Sequence, residues 1–277
     1  MSEISSPIKL NILTLALNLP GPLAVSRLQK LGAKVIKIEP PTGDPLKKYS
    51  PEWYQELIEG QDVVTLNLKE AEQREKLDKF LQTSDLLITS MRPQTLKKLG
   101  LDSINSKFPD LSHIEIIGYQ GEKENFAGHD LTYQAGLGLL NPPALPKTLW
   151  ADLIAADKVF STALLQVVLK QNNHPAQHQK ISIVESLSSF LLPLKYGLTS
   201  QGDLLGGGFA GYNLYQTSDG WIALAALETH FWNGLLKNLN LENADVNTLQ
   251  EVFLTKKSRY WSEWARDLNL PLTEVVW

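Results

Sequence analysis

The sequence predicts an α/β protein with a Rossmann-like large domain built on a parallel sheet, followed by a smaller C-terminal α+β domain. Two patterns lead to this prediction. Short apolar segments alternate with helical periodicity up to residue 118, which is typical of parallel strands joined by crossover helices. After residue 206 a hairpin pattern precedes two helical segments. We therefore expect a large domain over residues 1–205 and a small domain over residues 206–277.

The first repeat of the alternation consists of a strand over 8–17, a turn over 18–22, a helix over 23–31 and a strand over 33–38. Two prolines and a glycine predict the turn, and Gly32 is a suitable C-cap for the helix. The pattern continues with strands over 62–68, 85–89 and 111–118, a helix over 70–81, and a short helix that follows Pro93. No G-x-G-x-x-G loop is present, so the layout carries no dinucleotide signal.

The second half is predicted to be mainly helical before the small domain begins. The predicted elements are a helical region over 129–170 that is broken at 141–146, a polar turn over 174–179, a strand or helix over 181–192, a glycine linker over 206–208, a hairpin turning at 218–220, and helices over 229–240 and 247–268. Three successive glycines make residues 206–208 the best candidate for a linker.

Composition narrows the function classes. The chain has 277 residues, a net charge of −4 and no cysteine. The charge argues against nucleic acid as a partner, and the missing cysteines exclude disulfides and thiolate chemistry. We see no signal-peptide pattern at the N-terminus and no apolar run long enough for a membrane span. We therefore expect a cytoplasmic protein.

Three polar residues are candidates for chemistry. His129 precedes an apolar helical stretch, Asp152 has apolar neighbours, and Glu228 follows a predicted strand. Each also fits a structural role at the start of a helix, and residue type alone leaves both interpretations open. A desolvated Asp152 would have a raised pKa and suit acid–base or nucleophilic work. No histidine pair has carboxylates at metal-ligand spacing, so we predict no metal site.

A series of short motifs gives these residues a context. In chain order they are Gly21-Pro22, Leu31–Pro41, Gly43–Pro45, Val64–Lys69, Met91–Pro93, Leu99–Leu101, Ile117–Tyr119 and Gly128–Asp130. Together they resemble CoA-transferase family III of the CaiB/BaiF type, which also contains 2-methylacyl-CoA racemase. The resemblance implies an acyl-CoA substrate, with coenzyme A entering as part of that substrate and no permanently bound cofactor. It also implies a homodimer.

Within the family, the motif at His129 favours a racemase. Racemases show Gly-His-Asp followed by a polar residue and tyrosine, as in Gly128–Tyr133 here. The resemblance then implies that His129 and Asp152 form an acid–base pair that epimerises the α-carbon of a 2-methylacyl-CoA. Glu228 would lie beside His129 and orient it. We expect backbone N–H groups at the start of the Asp152 helix to stabilise the enolate oxygen.

A CoA transferase is the alternative reading. In that reaction Asp152 attacks the acyl-CoA carbonyl and carries first an anhydride and then a CoA thioester, while His129 is incidental. In both readings Arg92 is the first candidate for the CoA phosphates, because it matches the CoA-contacting arginine of the family. Lys37 is the second, although a lysine on a strand is more often simply solvated.

Three departures from the family pattern support a further hypothesis, a non-catalytic member of the family. Residues 57–62 replace a basic stretch that usually precedes the Val64 strand, and residues 154–158 replace a glycine-rich segment after Asp152. Family members also continue past the position of Trp277, so we expect a shortened small domain and a less interlocked dimer. The intact set of His129, Asp152 and Glu228 argues for catalysis.

Overall fold

The computed structural model describes residues 8–276. It divides into two compact units, the first ending at Phe190 and the second beginning at Leu191. This division lies earlier in the chain than the predicted boundary at residue 205. The two units are described separately below.

The first unit contains a six-stranded parallel sheet with strand order β3-β2-β1-β4-β5-β6. The order reverses between β1 and β4, which is where ligands bind in doubly wound sheets. The predicted Rossmann-like sheet is confirmed. Its strands are β1 (Asn11–Thr14), β2 (Lys34–Glu39), β3 (Asp62–Thr65), β4 (Leu86–Thr89), β5 (Ser112–Ile117) and β6 (His178–Ser182).

Nine helices accompany this sheet among the described residues. They are α1 (Pro20–Lys30), α2 (Leu46–Tyr49), α3 (Pro51–Ile58), α4 (Ala71–Gln82), α5 (Pro93–Lys98), α6 (Ile104–Lys107), α7 (Asp130–Gly136), α8 (Trp150–Gln171) and α9 (Ile183–Ser188). No described helix has both the length and the apolar sequence needed to span a membrane.

Both faces of the sheet are buried at its central strands β1, β4 and β5, whose successive residues point to opposite sides. Ile12 packs in a cluster with α1 and α8, whereas Leu13 packs in a second cluster with α4 and α5. The apolar strands thus form the middle layer of a three-layer core. Their carboxyl ends are left at one edge of the sheet, where loops can carry functional side chains.

The predicted turn over 18–22 was wrong in its second half, because α1 already begins at Pro20. Proline is tolerated in the first turn of a helix, where its missing N–H has no intrahelical acceptor to lose. Helices α2 and α3 lie in a segment to which the sequence patterns assigned no element. The predicted segment over 181–192 contains both alternatives, namely the end of β6 and helix α9.

The predicted polar turn over 174–179 overlaps the first residues of β6. This strand has only β5 as a neighbour, so part of it stays exposed and its sequence is polar. The apolar alternation that usually marks a strand is therefore missing at His178 and Gln179. Pairing with β5, which no local pattern shows, makes this segment a strand.

The second unit contains a three-stranded antiparallel sheet with order β7-β8-β9. The predicted hairpin is present, with Thr217 N–H donating to Gly220 O across the turn. The elements are β7 (Tyr212–Gln216), β8 (Trp221–Ala225), β9 (Leu272–Glu274), α10 (Leu192–Lys195), α11 (Thr229–Asn238), α12 (Val246–Leu254) and α13 (Ser258–Asp267).

Two details of this unit differ from the expectation. The single helix predicted over 247–268 is divided into α12 and α13, because Asp219 in the hairpin turn accepts a hydrogen bond from Ser258 N–H at 2.8 Å. Residues 204–208 form an irregular turn inside the second unit, where Gly207 has a positive φ of 93° that favours glycine. A Cβ at Gly206 would lie 1.8 Å from Ser200 O, so close backbone packing requires glycine there.

Candidate active site

A cavity of about 230 Å³ lies where the chain leaves β1, β4 and β5. Leu17 N–H donates to Ser90 Oγ at 3.0 Å and joins the first two of these exits. The carboxyl ends of parallel strands at the switch point are the usual ligand site of such sheets. The cavity lining includes three of the residues predicted from the sequence, Arg92, His129 and Asp152.

His129 is the N-cap residue of α7. The start of this helix is held by Thr132, whose hydroxyl accepts a hydrogen bond from His129 N–H at 3.0 Å and donates one to His129 O at 2.8 Å. The structural and the functional interpretations of His129 are therefore compatible. Its backbone begins the helix, and the residue is exposed at the cavity wall, where a ligand can reach the imidazole.

Asp152 lies in the first turn of α8, whose N-cap residue is Leu149. The carboxyl is therefore not the N-cap that the structural interpretation expected. Burial, and secondly the charge of Asp130, raise the pKa of Asp152 from the usual 3.8 to about 7. At neutral pH such a group is present in both protonation states, as an acid–base catalyst requires.

Asp130 is the residue whose role the sequence analysis missed. Its side chain is buried, and its Oδ1 accepts a hydrogen bond from Asp152 N–H at 3.1 Å. Gln134 Nε2 donates to the other carboxylate oxygen at 2.5 Å. Asp130 therefore holds the start of α8 against α7, instead of capping its own helix. Since this bond occupies the N–H of Asp152, that group is not available as the enolate donor expected from the sequence.

Tyr133 fills the space behind the two catalytic candidates. It is buried, lines the cavity and packs edge-on against Tyr119 with ring centres 5.3 Å apart. Burial raises its pKa to about 12, so the phenol stays protonated. A Cβ on Gly118 or on Gly128 would each lie 2.4 Å from atoms of the Tyr133 ring or hydroxyl. Only glycine at both positions leaves enough space for the Tyr133 side chain.

Replacing Gly128 with alanine is expected to reduce the free energy of unfolding by about 1–3 kcal/mol, because the added methyl group overlaps the Tyr133 ring. Urea denaturation measures the change. Gly136→Ala is the matched control, since a Cβ there meets nothing within 4 Å. Equal stability of the two variants would contradict the assigned role of Gly128.

Arg92 is exposed at the start of α5 and lines the same cavity. A second cavity shares Leu17 and Met91 with the first one and is otherwise lined mainly by apolar side chains, with the exposed Lys69 at its wall. An elongated ligand could therefore place a charged group near Arg92 and an apolar ring beside it. The sequence patterns did not single out Lys69.

Lys37 is in a different environment from the one predicted. Its side chain is 1% exposed, and its Nζ lies 2.7 Å from Glu39 Oε1 and 2.5 Å from Asp44 Oδ2. Tyr54 Oη also donates to Glu39 Oε1, at 2.8 Å. An ammonium that is buried between two carboxylates has no face left for a phosphate. The structure therefore disagrees with Lys37 as a phosphate ligand, and we assign it a structural role.

Glu228 belongs to the second unit, where it is exposed at the N-cap position of α11. Its side chain makes no capping hydrogen bond. The predicted pairing of Glu228 with His129 stays a prediction.

A cavity at the switch point that contains an imidazole, a carboxyl with a pKa near neutrality and an arginine is a candidate enzyme site for an anionic substrate. The comparisons with known proteins agree with this class. The sequence model of CoA-transferase family III matches residues 9–275, so the chain belongs to this family. Its members include acyl-CoA racemases and CoA transferases.

The similar proteins include both a racemase and a CoA transferase. Human alpha-methylacyl-CoA racemase is 27% identical over 249 residues, which cover 82% of this chain and 63% of the racemase. The chain thus spans less than two thirds of that enzyme. The (R)-2-hydroxy-4-methylpentanoate CoA-transferase of Clostridioides difficile is 24% identical over 302 residues, covering 92% of this chain and 76% of the transferase.

The solved structures support the fold. The crystal structure of a hypothetical protein from Mycobacterium tuberculosis matches with a TM-score of 0.85 at 20% sequence identity, and the match covers 97% of this chain and 85% of that one. A CaiB/BaiF family protein from Brucella suis matches with a TM-score of 0.79 at 20% identity, covering 98% of this chain and 84% of the other. The family III fold is thereby shown for almost the whole chain.

Proposed function

We propose that the chain epimerises the α-carbon of a 2-methylacyl-CoA thioester by two-base proton transfer. The observation that supports this most is that His129 and Asp152 line one cavity, in which the pKa of Asp152 is raised to about 7. The α-proton of a thioester is only weakly acidic, so its removal needs a positioned base and a stabilised enolate.

In this mechanism one side chain removes the α-proton and the other returns a proton to the opposite face. Neutral His129 takes the proton in one direction while protonated Asp152 supplies one, and in the reverse direction the ionised carboxylate is the base. After each turnover the two groups have exchanged protonation states. The first turn of α8 begins without a side-chain cap, and in this proposal one of its backbone N–H groups donates to the enolate oxygen.

The substrate is proposed to bind with its pyrophosphate near Arg92 and its adenine ring in the apolar cavity beside Met91. Lys69 would add a positive charge for the 3′-phosphate. The positive charge of Lys69 would replace part of the basic stretch that other family members have at the position of residues 57–62. The carboxyl end of the sheet would then hold the thioester between His129 and Asp152.

Replacing Arg92 with glutamine is expected to raise KM for an acyl-CoA by about 10-fold or more, because charged hydrogen bonds are worth about 1.5–3 kcal/mol. The value of kcat should change less, since these contacts are the same in the ground and transition states. Steady-state kinetics separates the two parameters. Lys76→Gln on the exposed side of α4 is the control, and an unchanged KM for Arg92→Gln would remove this residue from the binding site.

A CoA transferase is the second candidate, and the position of Asp152 favours it as well. The carboxyl is partly accessible in the cavity, so its oxygen can attack a bound thioester carbonyl and form an anhydride with release of the CoA thiolate. The thiolate then attacks the aspartyl carbonyl and releases the carboxylic acid. This reaction needs an acceptor acid, whereas epimerisation needs none.

Deuterium uptake at the α-carbon of a 2-methylacyl-CoA in heavy water separates the candidates. We expect exchange in the wild type and its loss in both His129→Ala and Asp152→Ala, with His174→Ala as an exposed-histidine control. CoA transfer to an added acid that needs Asp152 but not His129, without exchange, would support the transferase. Binding of CoA without either reaction would identify a non-catalytic member of the family.

We also propose a homodimer located in the cytoplasm. Family resemblance is the basis for the dimer, and exposed apolar side chains on α8, Leu165 at 47% and Val168 at 52% exposure, support an apolar contact. The absence of cysteine agrees with a reducing compartment. Light scattering on a size-exclusion column should give twice the chain mass, and a monomer at micromolar concentration would refute the dimer.

A further inference from the structure

Two strands of the first unit bring together three metal-ligating side chains away from the carboxyl end of the sheet. His113 and Glu115 lie on the same face of β5, and His178 pairs with His113 in register on β6. The candidate ligand atoms of these three residues all lie within 4.8 Å of one another. We call His113, Glu115 and His178 the edge cluster. We propose that the edge cluster binds one Zn²⁺ ion.

An unpartnered nitrogen is the first observation that supports this proposal. His113 is fully buried, and its Nδ1 has no hydrogen-bond partner within residues 8–276. Leaving a buried polar atom unpaired costs about 1–3 kcal/mol. This nitrogen faces Glu115 Oε1 at 3.9 Å, too far for a hydrogen bond. A cation between the two atoms would satisfy both.

The surroundings of His113 suit it as a ligand. The Thr89 hydroxyl lies 3.0 Å from Nε2, and an Nε2–H donating to this oxygen leaves the lone pair of Nδ1 directed toward the cluster. A neutral imidazole whose other nitrogen is fixed by a hydrogen bond is the usual state of a histidine ligand.

Glu115 supplies the negative charge. Its Oε1 lies 2.6 Å from His178 Nε2, and Zn²⁺ would take the place of the proton that these two atoms share. The Lys180 ammonium is paired with Glu124 at 3.3 Å, which reduces its repulsion of a second cation. No other ionisable group faces the cluster from the adjacent strand β4, where Thr89 and Leu87 lie in register with β5.

Zn²⁺ binding requires one histidine ring to rotate, because the His113 and His178 rings are stacked with centres 4.8 Å apart and planes 8° from parallel. With bonds of about 2.0–2.2 Å, tetrahedral ligands lie roughly 3.4 Å apart. The observed separations from Glu115 Oε1 are 2.6 Å to His178 Nε2 and 3.9 Å to His113 Nδ1. Two histidines and one glutamate leave a fourth position for water, and His178, whose side chain is 33% exposed, lies on the solvent side. The ion would cross-link edge strand β6 to β5.

Titration of chelator-treated, dialysed protein with zinc chloride tests this site. Isothermal calorimetry should show one ion per chain, and the melting temperature should rise with added zinc. Substituting His178→Gln should weaken binding at least tenfold, since it removes one of three ligands. His174→Gln, an exposed histidine just before β6, should bind as the wild type does.

Glu115→Gln serves as a second ligand variant, and Co²⁺ gives a direct readout. Cobalt in a tetrahedral nitrogen and oxygen site should give visible absorption bands in the wild type and in His174→Gln, but not in His178→Gln. The proposal is overturned if the wild type takes up no stoichiometric zinc. It is equally overturned if His178→Gln binds as the wild type does, or if His174→Gln loses binding to the same extent.

Discussion

Asp152→Asn is expected to lower kcat by about 10³-fold in either of the two candidate reactions, because asparagine can neither exchange a proton nor attack a carbonyl at neutral pH. The side chain keeps its size and its position in the first turn of α8, so CoA binding should persist. Turnover and CoA affinity measured on the same preparation check this result. Retention of more than a tenth of the wild-type kcat would exclude Asp152 from the chemistry.

The same variant should be more stable than the wild type at high pH. The native state of the wild type holds the Asp152 proton more tightly than the unfolded chain does, because the pKa is raised from 3.8 to about 7. Stability is therefore lost as the pH rises through this window, and the full cost applies above pH 7. Asparagine has no charge to desolvate. We expect a gain on the order of 1–3 kcal/mol at pH 8 and none below pH 4.

Asp157→Asn is the control for both measurements. Asp157 lies on the same helix and forms an exposed ion pair with Arg27. Its loss should leave kcat unchanged and alter stability by less than about 1 kcal/mol, with no gain at pH 8. If Asp152→Asn and Asp157→Asn were stabilised equally at pH 8, the gain would come from removing a negative charge from α8. It would then not come from removing a charge that is buried in the cavity.

Lys37→Met is expected to reduce the free energy of unfolding by about 3–5 kcal/mol, because it leaves the buried carboxylates of Glu39 and Asp44 without their counter-charge. Asp44 Oδ1 also accepts hydrogen bonds from Asn18 and Leu46 N–H groups, each at 3.0 Å, so the turn that borders the active-site cavity should loosen. Guanidinium denaturation at pH 8 measures the loss.

The electrostatic cause of this loss can be separated from simple packing. The destabilisation caused by Lys37→Met should be smaller in a chain that already carries Glu39→Gln, because one fewer buried carboxylate is left unpaired. Lys34→Met, at an exposed position of the same strand, should change stability by no more than about 0.5 kcal/mol. An undiminished loss in the chain with Glu39→Gln, or an equal loss in Lys34→Met, would refute the ion-network explanation.

Much of the first unit was predictable because its strands are short, apolar and regularly spaced, and because helix ends carry local signals such as Gly32. Helix α1 was misjudged at Pro20, since proline breaks a helix in its interior but fits its first turn. Strand β6 was missed because an edge strand needs no apolar pattern. Pairing between distant segments decides such cases, and no window of sequence contains it.

In the candidate site, too, some features could be predicted from local sequence and others depend on contacts between distant segments. Motif order placed Arg92, His129 and Asp152 together, and the cavity unites them. The contact from Asp130 to Asp152 N–H joins two helices that are far apart in sequence, so only the folded chain reveals it. Lys37 illustrates the opposite error. A lysine on a strand looks the same in sequence whether it faces solvent or is buried between two carboxylates.

The carboxylate of Asp130 has a consequence for how this enzyme could change during evolution or in the laboratory. Its hydrogen bond to Asp152 N–H holds the start of α8, and its charge adds to burial in raising the pKa of Asp152, the candidate acid. A substitution of Asp130 that changes the pKa of Asp152 would also shift the start of α8. The pKa and the position of the Asp152 carboxyl therefore cannot change independently at this residue. Shifts between related reactions are therefore easier through the exposed rim of the cavity, where Phe126 can change without touching this pair.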